Sequence, residues 1–175
     1  MAETAADVLV GATGKVYGGV TGTPLPVTAV ASLNAAFHDL GYIGDTGVEQ
    51  IIAETTVDIK AWGGSTIRTV QTAHTVTYKL TMIETNPNAL AAYYKNVAGP
   101  IVQITADMDT RQSWVCDVVD GSNLVRVVIP DGQITVHDNV LFNTSAAIGY
   151  GITITAYPDL SNVKAYEYLS TAGVS

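Results

Sequence analysis

Val8-Leu9-Val10-Gly11-Ala12-Thr13-Gly14-Lys15 is the stretch that comes nearest to a site for chemistry, an apolar run entering glycines at 11, 14 and 18. Glycines after a strand suit a dinucleotide-binding turn, because they let the backbone close on a pyrophosphate held at the N-terminus of the next helix. Two features exclude that use. The third glycine stands one place too late, and the continuation Tyr17-Gly18-Gly19-Val20-Thr21-Gly22-Thr23-Pro24 cannot form the helix. The same residues fail as a P-loop, since Leu9 and Val16 stand where a glycine and a Ser/Thr are required.

The remaining reactive residue types are no better grouped. His38, His74 and His137 share no metal-ligand spacing. Asp107 and Asp109 offer two carboxylates at i, i+2, but the glycine and distal glutamate of a calcium loop are missing. They read as a solvated turn with a local contact to Arg111. Cys116 is the sole cysteine, so no intrachain disulfide can form, which fits a reducing cytoplasm. It shares its phase with Trp114 and Val118 and reads as a small buried hydrophobe. There is no Gly-x-Ser-x-Gly elbow and no Cys–His signature. The expectation is a protein that is not an enzyme and uses no cofactor and no metal.

Composition points the same way. The 175 residues are most simply one domain. Only 14% of residues are charged while 47% are hydrophobic, against about 25% charged in ordinary soluble domains, so much of the surface is expected to be covered by other subunits. The net charge of −8 argues against holding nucleic acid by its phosphates; its commoner meaning is solubility, and it could also repel DNA from a surface that DNA must slide past. No apolar run approaches the length of a membrane span. The opening MAETAADVLVGATG has acids and no basic segment, unlike a signal peptide.

The elements that must position these residues are mostly strands. Residues 1–27, broken by glycines and by Pro24 and Pro26, read as an extended N-terminal arm with one short strand around Val8–Val10 or Lys15–Val20. Residues 28–175 read as a β domain. Val30, Leu33, Ala36 and Phe37 suggest a short helical turn over Thr28–Phe37, ended by Gly41. Gly44-Asp45-Thr46-Gly47 reads as a tight turn. From Thr55 the period becomes two. A strand to Trp62 turns at Gly63-Gly64 and returns over Ser65–Gln71, and Ala73–Thr85 forms the clearest strand, with Val76, Tyr78, Leu80 and Met82 on its buried face. Asn86 and Pro87 cap and open a helix with an apolar stripe of Leu90, Tyr93, Tyr94 and Val97, ended by Gly99-Pro100. Strands follow over Ile101–Ala106, Ser113–Val119 and Leu124–Ile129, with turns at Asp120–Asn123 and Asp131-Gly132 and a short run at Gln133–Val136. Gly149–Tyr157 and Val163–Leu169 close the chain. Trp114, Ile152 and Ile154 complete the expected core. The fold class is mainly β: an antiparallel sandwich or barrel with one short flanking helix.

Three segments, in this order, carry a resemblance: LGYIGDTGVE (Leu40–Glu49), IKAWGGSTIRTVQT (Ile59–Thr72) and LTMIETNPNALAAYY (Leu80–Tyr94). Together the chain resembles the major tail protein, or tail tube protein, of long-tailed siphovirus-type bacteriophages. The resemblance implies a structural virion protein, assembled in the host cytoplasm into hexameric rings that stack into a tube, with inner strands joined edge to edge around a lumen. It implies a tape measure protein inside, a tail terminator at the end, and DNA passing through without specific binding. On that reading Asp58, Asp117 and Asp120 are candidates to face the lumen. Val16, Tyr17, Gly63, Gly64, Ile67 and Arg68 are candidates for contacts between rings, and a chain lacking residues 1–22 is expected to fold but not stack. Two alternatives are another tube component on the same fold, such as a tail terminator or a type VI secretion tube-like protein, and a monomeric ligand-binding β-barrel, which would want a concave face rich in aromatics.

Overall fold

Rows of large apolar side chains repeat at every second residue through the second half of the chain, and the way these rows close on one another sets the architecture. The computed structural model describes residues 8–170. Its elements are β1 (Thr13–Val20), β2 (His38–Asp39), β3 (Ile43–Lys60), β4 (Thr66–Met82), α1 (Pro87–Tyr94), β5 (Asn96–Ala98), β6 (Ile101–Gln103), β7 (Gln112–Asp120), β8 (Asn123–His137), β9 (Tyr150–Tyr157) and β10 (Tyr166–Ser170). All strand pairs are antiparallel, in the order β2-β1-β7-β8-β9-β4-β3, with β10 also on β8 and β5–β6 a separate small hairpin.

β8 makes this one sheet into two layers. Leu124–Val128 lies between β7 and β10, while Asp131–His137 pairs with β9. The change of partner happens at Pro130, where β8 carries an extra residue relative to β7. Proline has no N–H to lose there, and its carbonyl accepts from the buried Ser113 hydroxyl at 2.7 Å. The expected turn at Asp131-Gly132 is therefore a bend within one strand. Gly132 is small for a different reason: a Cβ would sit 2.7 Å from Trp114 Cδ1 and 2.9 Å from Ile154 Cγ2.

Between the layers lie Val16, Leu40, Val76, Tyr78, Leu80, Met82, Trp114, Cys116, Ile129, Ile134, Ile152 and Ile154, all buried. Val115 and Val128 point to the other face of β7 and β8, where Phe37, Leu25 and Leu33 cover them. The segment 21–37 is thus a strap rather than a helix. Ala31 N–H donates to Thr28 and Phe37 N–H to Asn34, while the Asn34 side chain takes Ala36 N–H at 3.0 Å. Arg126 donates to the carbonyls of Thr28 and Ala31, acceptors that a helix there would need for itself.

The helix begins as its cap predicts. Asn86 Oδ1 accepts from Ala89 N–H at 2.8 Å, Pro87 opens the first turn, and Asn86 Nδ2 donates to Leu40 O at 3.1 Å. Its buried residues are Ala89 and Ala92, whose small side chains let the helix lie close on the sheet. Leu90, Tyr93 and Tyr94 are half-buried against the core from either side. The helix ends at Lys95, φ 65°, and Gly99-Pro100 instead turns the β5–β6 hairpin.

Three further expectations change. Residues 13–20 are not an arm: β1 is inserted between β2 and β7, and residues 1–7 lie outside the described residues. Gly44–Gly47 does not end a strand but bulges out of β3 opposite Thr81, between the pairs Ile43–Met82 and Val48–Leu80. β3 and β4 are single strands of 18 and 17 residues, longer than the pieces expected, and their far ends leave the core.

Candidate assembly surfaces

The β3–β4 hairpin carries the longest exposed stretch among the described residues. From Ile51 to Thr75 every residue is exposed except the half-buried Val70. The tip closes through Ala61 N–H to Ser65 O and Gly64 N–H to Ala61 O, both 2.8 Å, with Gly64 at φ 86°, a conformation that glycine adopts without strain. Trp62 projects from this tip into solvent. Gly63, Gly64, Ile67 and Arg68, four of the six candidates for ring contacts, all lie at this exposed end. Among the described residues β3 pairs only with β4, so its outer edge is open.

The other two contact candidates are placed elsewhere. Val16 is 1% exposed, in the core between the layers, because β1 is an interior strand. Tyr17 is half-buried on the opposite face, against the cluster of Phe37, Val115 and Val128. Neither belongs to a free arm.

The three lumen candidates also separate. Asp58 is exposed on the hairpin and accepts from Thr69 Oγ1 at 2.7 Å. Asp120 is half-buried at the β7–β8 turn and accepts from Val10 N–H at 3.0 Å. Asp117 is enclosed, its side chain 12% exposed. Arg126, 6% exposed, donates to it through Nε at 2.6 Å and Nη2 at 2.8 Å, a bidentate pair that also anchors the strap through Nη1 to Ala31 O. That hydrogen bond to Asp117 raises the Arg126 pKa further, so the guanidinium stays charged. A signal for it was present: the two-residue loop Gly121-Ser122 pairs Asp120 with Asn123, and counting back three places sets Asp117 opposite Arg126.

The turn expected around Asp107–Arg111 is likewise more enclosed than its sequence suggested. Asp109 meets Lys95 Nζ at 3.3 Å and His137 Nε2 at 3.7 Å with its side chain 12% exposed. Arg111 pairs with Asp131 at 2.5 Å and lies 3.8 Å over the Tyr157 ring, so its partner is across the sheet and not a neighbour in sequence. These contacts tie the segment after β6 to the end of β8. Cys116 is fully buried, and burial pushes its thiol up to about 12, which leaves it unreactive.

A family model described as phage tail tube protein matches residues 1–173. The chain belongs to the phage tail tube protein family. It is a structural component of the phage tail that forms the tail tube, not an enzyme. Among solved structures it is similar to a chain of an extracellular contractile injection system, the PVC sheath–tube complex in the extended state, with TM-score 0.53 and 9% identity over 98% of this chain and 100% of that one. It is also similar to the tube-terminating cap of the anti-feeding prophage, with TM-score 0.49 and 12% identity over 98% and 100% of the two chains. A third likeness is to the tail of an empty GTA particle, with TM-score 0.43 and 12% identity over 98% and 99%. Of the three, the first speaks for a shared fold. No curated protein matches the sequence.

Proposed function

We propose that six copies of this tail tube protein close into a ring, and that rings stack head to tail into the hollow tube of a long-tailed, siphovirus-type phage. The observation that carries this reading is the β3 edge, open along an 18-residue strand. An open edge of that length is a liability in a monomer and is removed when neighbouring subunits pair around a ring. A heterologous contact that does not close on itself then continues as a filament. The exposed tip with Gly63, Gly64, Ile67 and Arg68 is the part of the chain placed to reach the next ring.

The tube assembles in the host cytoplasm around a tape measure protein, is closed by a tail terminator, and passes DNA at ejection. With a net charge of −8 on each copy, Asp58 and Asp120 are the acids left to line a lumen that does not hold DNA. Negative-stain electron microscopy of concentrated protein and of particles containing it tests the proposal. Hollow tubes of stacked six-fold rings are expected. Dispersed monomers in both preparations would overturn it.

A further inference from the structure

The far end of the β3–β4 hairpin has two chemically different faces, and a single extra residue creates them. β3 alternates without interruption from Val48 to Lys60. Val48, Gln50 and Ile52 stand opposite Leu80, Tyr78 and Val76 on the core side, so Glu54, Thr56 and Asp58 share that side. Ile51, Ala53, Thr55, Val57 and Ile59 take the other.

β4 changes phase part-way. Thr55 pairs with Ala73, but Thr56 pairs with Gln71, so Thr72 is an unpaired extra residue. Its hydroxyl donates to the Thr55 carbonyl at 3.1 Å. Without this bulge Val70 would share the phase of Val76 and Tyr78 and fall on the core side. With it Val70 stands opposite Val57, and Arg68 opposite Ile59. One face past the bulge therefore carries Val57, Ile59, Val70 and the stem of Arg68. The other carries Thr56, Asp58, Thr69 and Gln71, with Glu54 and His74 3.9 Å apart just before it. Val57 is 52% and Ile59 46% exposed, with nothing among the described residues covering them. A two-stranded ribbon in water is marginal without a third layer, so this face calls for one.

We propose that the apolar face made by Ile51, Val57, Ile59 and Val70 packs on a second copy of the chain, and that the Thr72 bulge is what turns Val70 onto it. The inference rests on the ring-and-stack reading above. A tail tube is built from copies of its own subunit, and the same strand offers the edge through which a neighbouring copy pairs. Charge agrees: beyond the bulge the one charged side chain on this face is the cation Arg68, meeting a chain of net charge −8.

The test compares full-length variants on the two faces of one ribbon: Val57→Glu and Val70→Glu against Thr56→Glu and Thr69→Glu. Circular dichroism melting checks that each is folded, sedimentation measures self-association, and electron microscopy identifies tubes. The apolar-face variants are expected to lower the sedimentable fraction at least tenfold, and the polar-face variants to assemble as the unaltered chain does. Inserting one threonine between Thr55 and Thr56 gives Thr72 a partner and exchanges the faces past the bulge. That variant is expected to fold and not to assemble. Equal behaviour of both faces, or assembly of the insertion variant, overturns the inference while tubes of the unaltered chain uphold the ring reading. Face-specific association into something other than stacked rings does the reverse, and an unaltered chain that never self-associates overturns both.

Discussion

The two-layered body and the projecting hairpin obey opposite rules, although they share two strands. In the body, each apolar side chain on the inner face of β7, β8 or β9 meets another from the same chain. Val76, Tyr78, Leu80 and Met82 of β4 belong to this set. Past Val76 the same strand is exposed on both faces except at the half-buried Val70, and its contact outside the ribbon is that of Lys164 with His74. Burial within the chain confers stability, while apolar surface left exposed confers association. On the proposed assembly the two tasks fall to the two ends of one hairpin, so they should respond independently to mutation.

The largest losses are expected in the body. Trp114→Ala removes the largest buried side chain and should cost about 3–5 kcal/mol, a large share of the 5–15 kcal/mol typical of a domain. Thermal or urea unfolding measures it, and a change below about 1 kcal/mol would break the comparison. Deleting residues 1–22, which the arm reading expected to leave a folded domain, removes β1 and Val16 and should abolish cooperative unfolding. Next comes Arg126→Ala, expected to cost about 3 kcal/mol because it leaves Asp117 in an enclosed site without its partner and frees the strap. Asn86→Ala should cost about 1 kcal/mol through loss of the helix cap.

Alkaline titration gives a further loss in the body. Burial raises the Tyr78 hydroxyl pKa in the folded chain, whereas in the unfolded chain it ionises near about 10. Its contribution is complete below that pH and is lost as pH rises through the higher folded value. Melting temperature should therefore fall above about pH 10, and Tyr78→Phe should reduce the slope. The smallest stability effect belongs to the hairpin. Replacing Thr56–Thr72 by an Asn-Gly turn, which keeps the Thr55–Ala73 pair, should change unfolding free energy by no more than about 0.5 kcal/mol while eliminating tubes. A large loss of stability would show that the two regions are coupled.

Local signals made much of this legible. The alternation of Val76–Met82 and of Tyr150–Ala156, the Asn86-Pro87 start of the helix and the turns at Gly63-Gly64 and Asp120–Asn123 each lie within a few residues of their cause. The missed features depend on distant partners. Asp131-Gly132 has the composition of a turn, yet Gly132 is required by Trp114 and Ile154. Thr28–Phe37 has helical spacing, yet its carbonyls are claimed by Arg126, 95 positions or more away along the chain. The Thr72 bulge left no mark, because a threonine among threonines has no local reason to be the unpaired one. Family resemblance supplied the tube, but the buried position of Val16 and the pairing of Asp117 with Arg126 came only from the fold.

One earlier feature gives the molecule a pair of built-in optical probes. Its two tryptophans sit at the extremes of the comparison, Trp62 in open solvent at the hairpin tip and Trp114 1% exposed in the core. In dispersed protein, iodide should quench the red-shifted emission of Trp62 and leave the blue emission of Trp114 untouched. Trp62→Phe then yields a chain whose fluorescence reports unfolding alone, and the difference between the two proteins follows the tip without any attached dye.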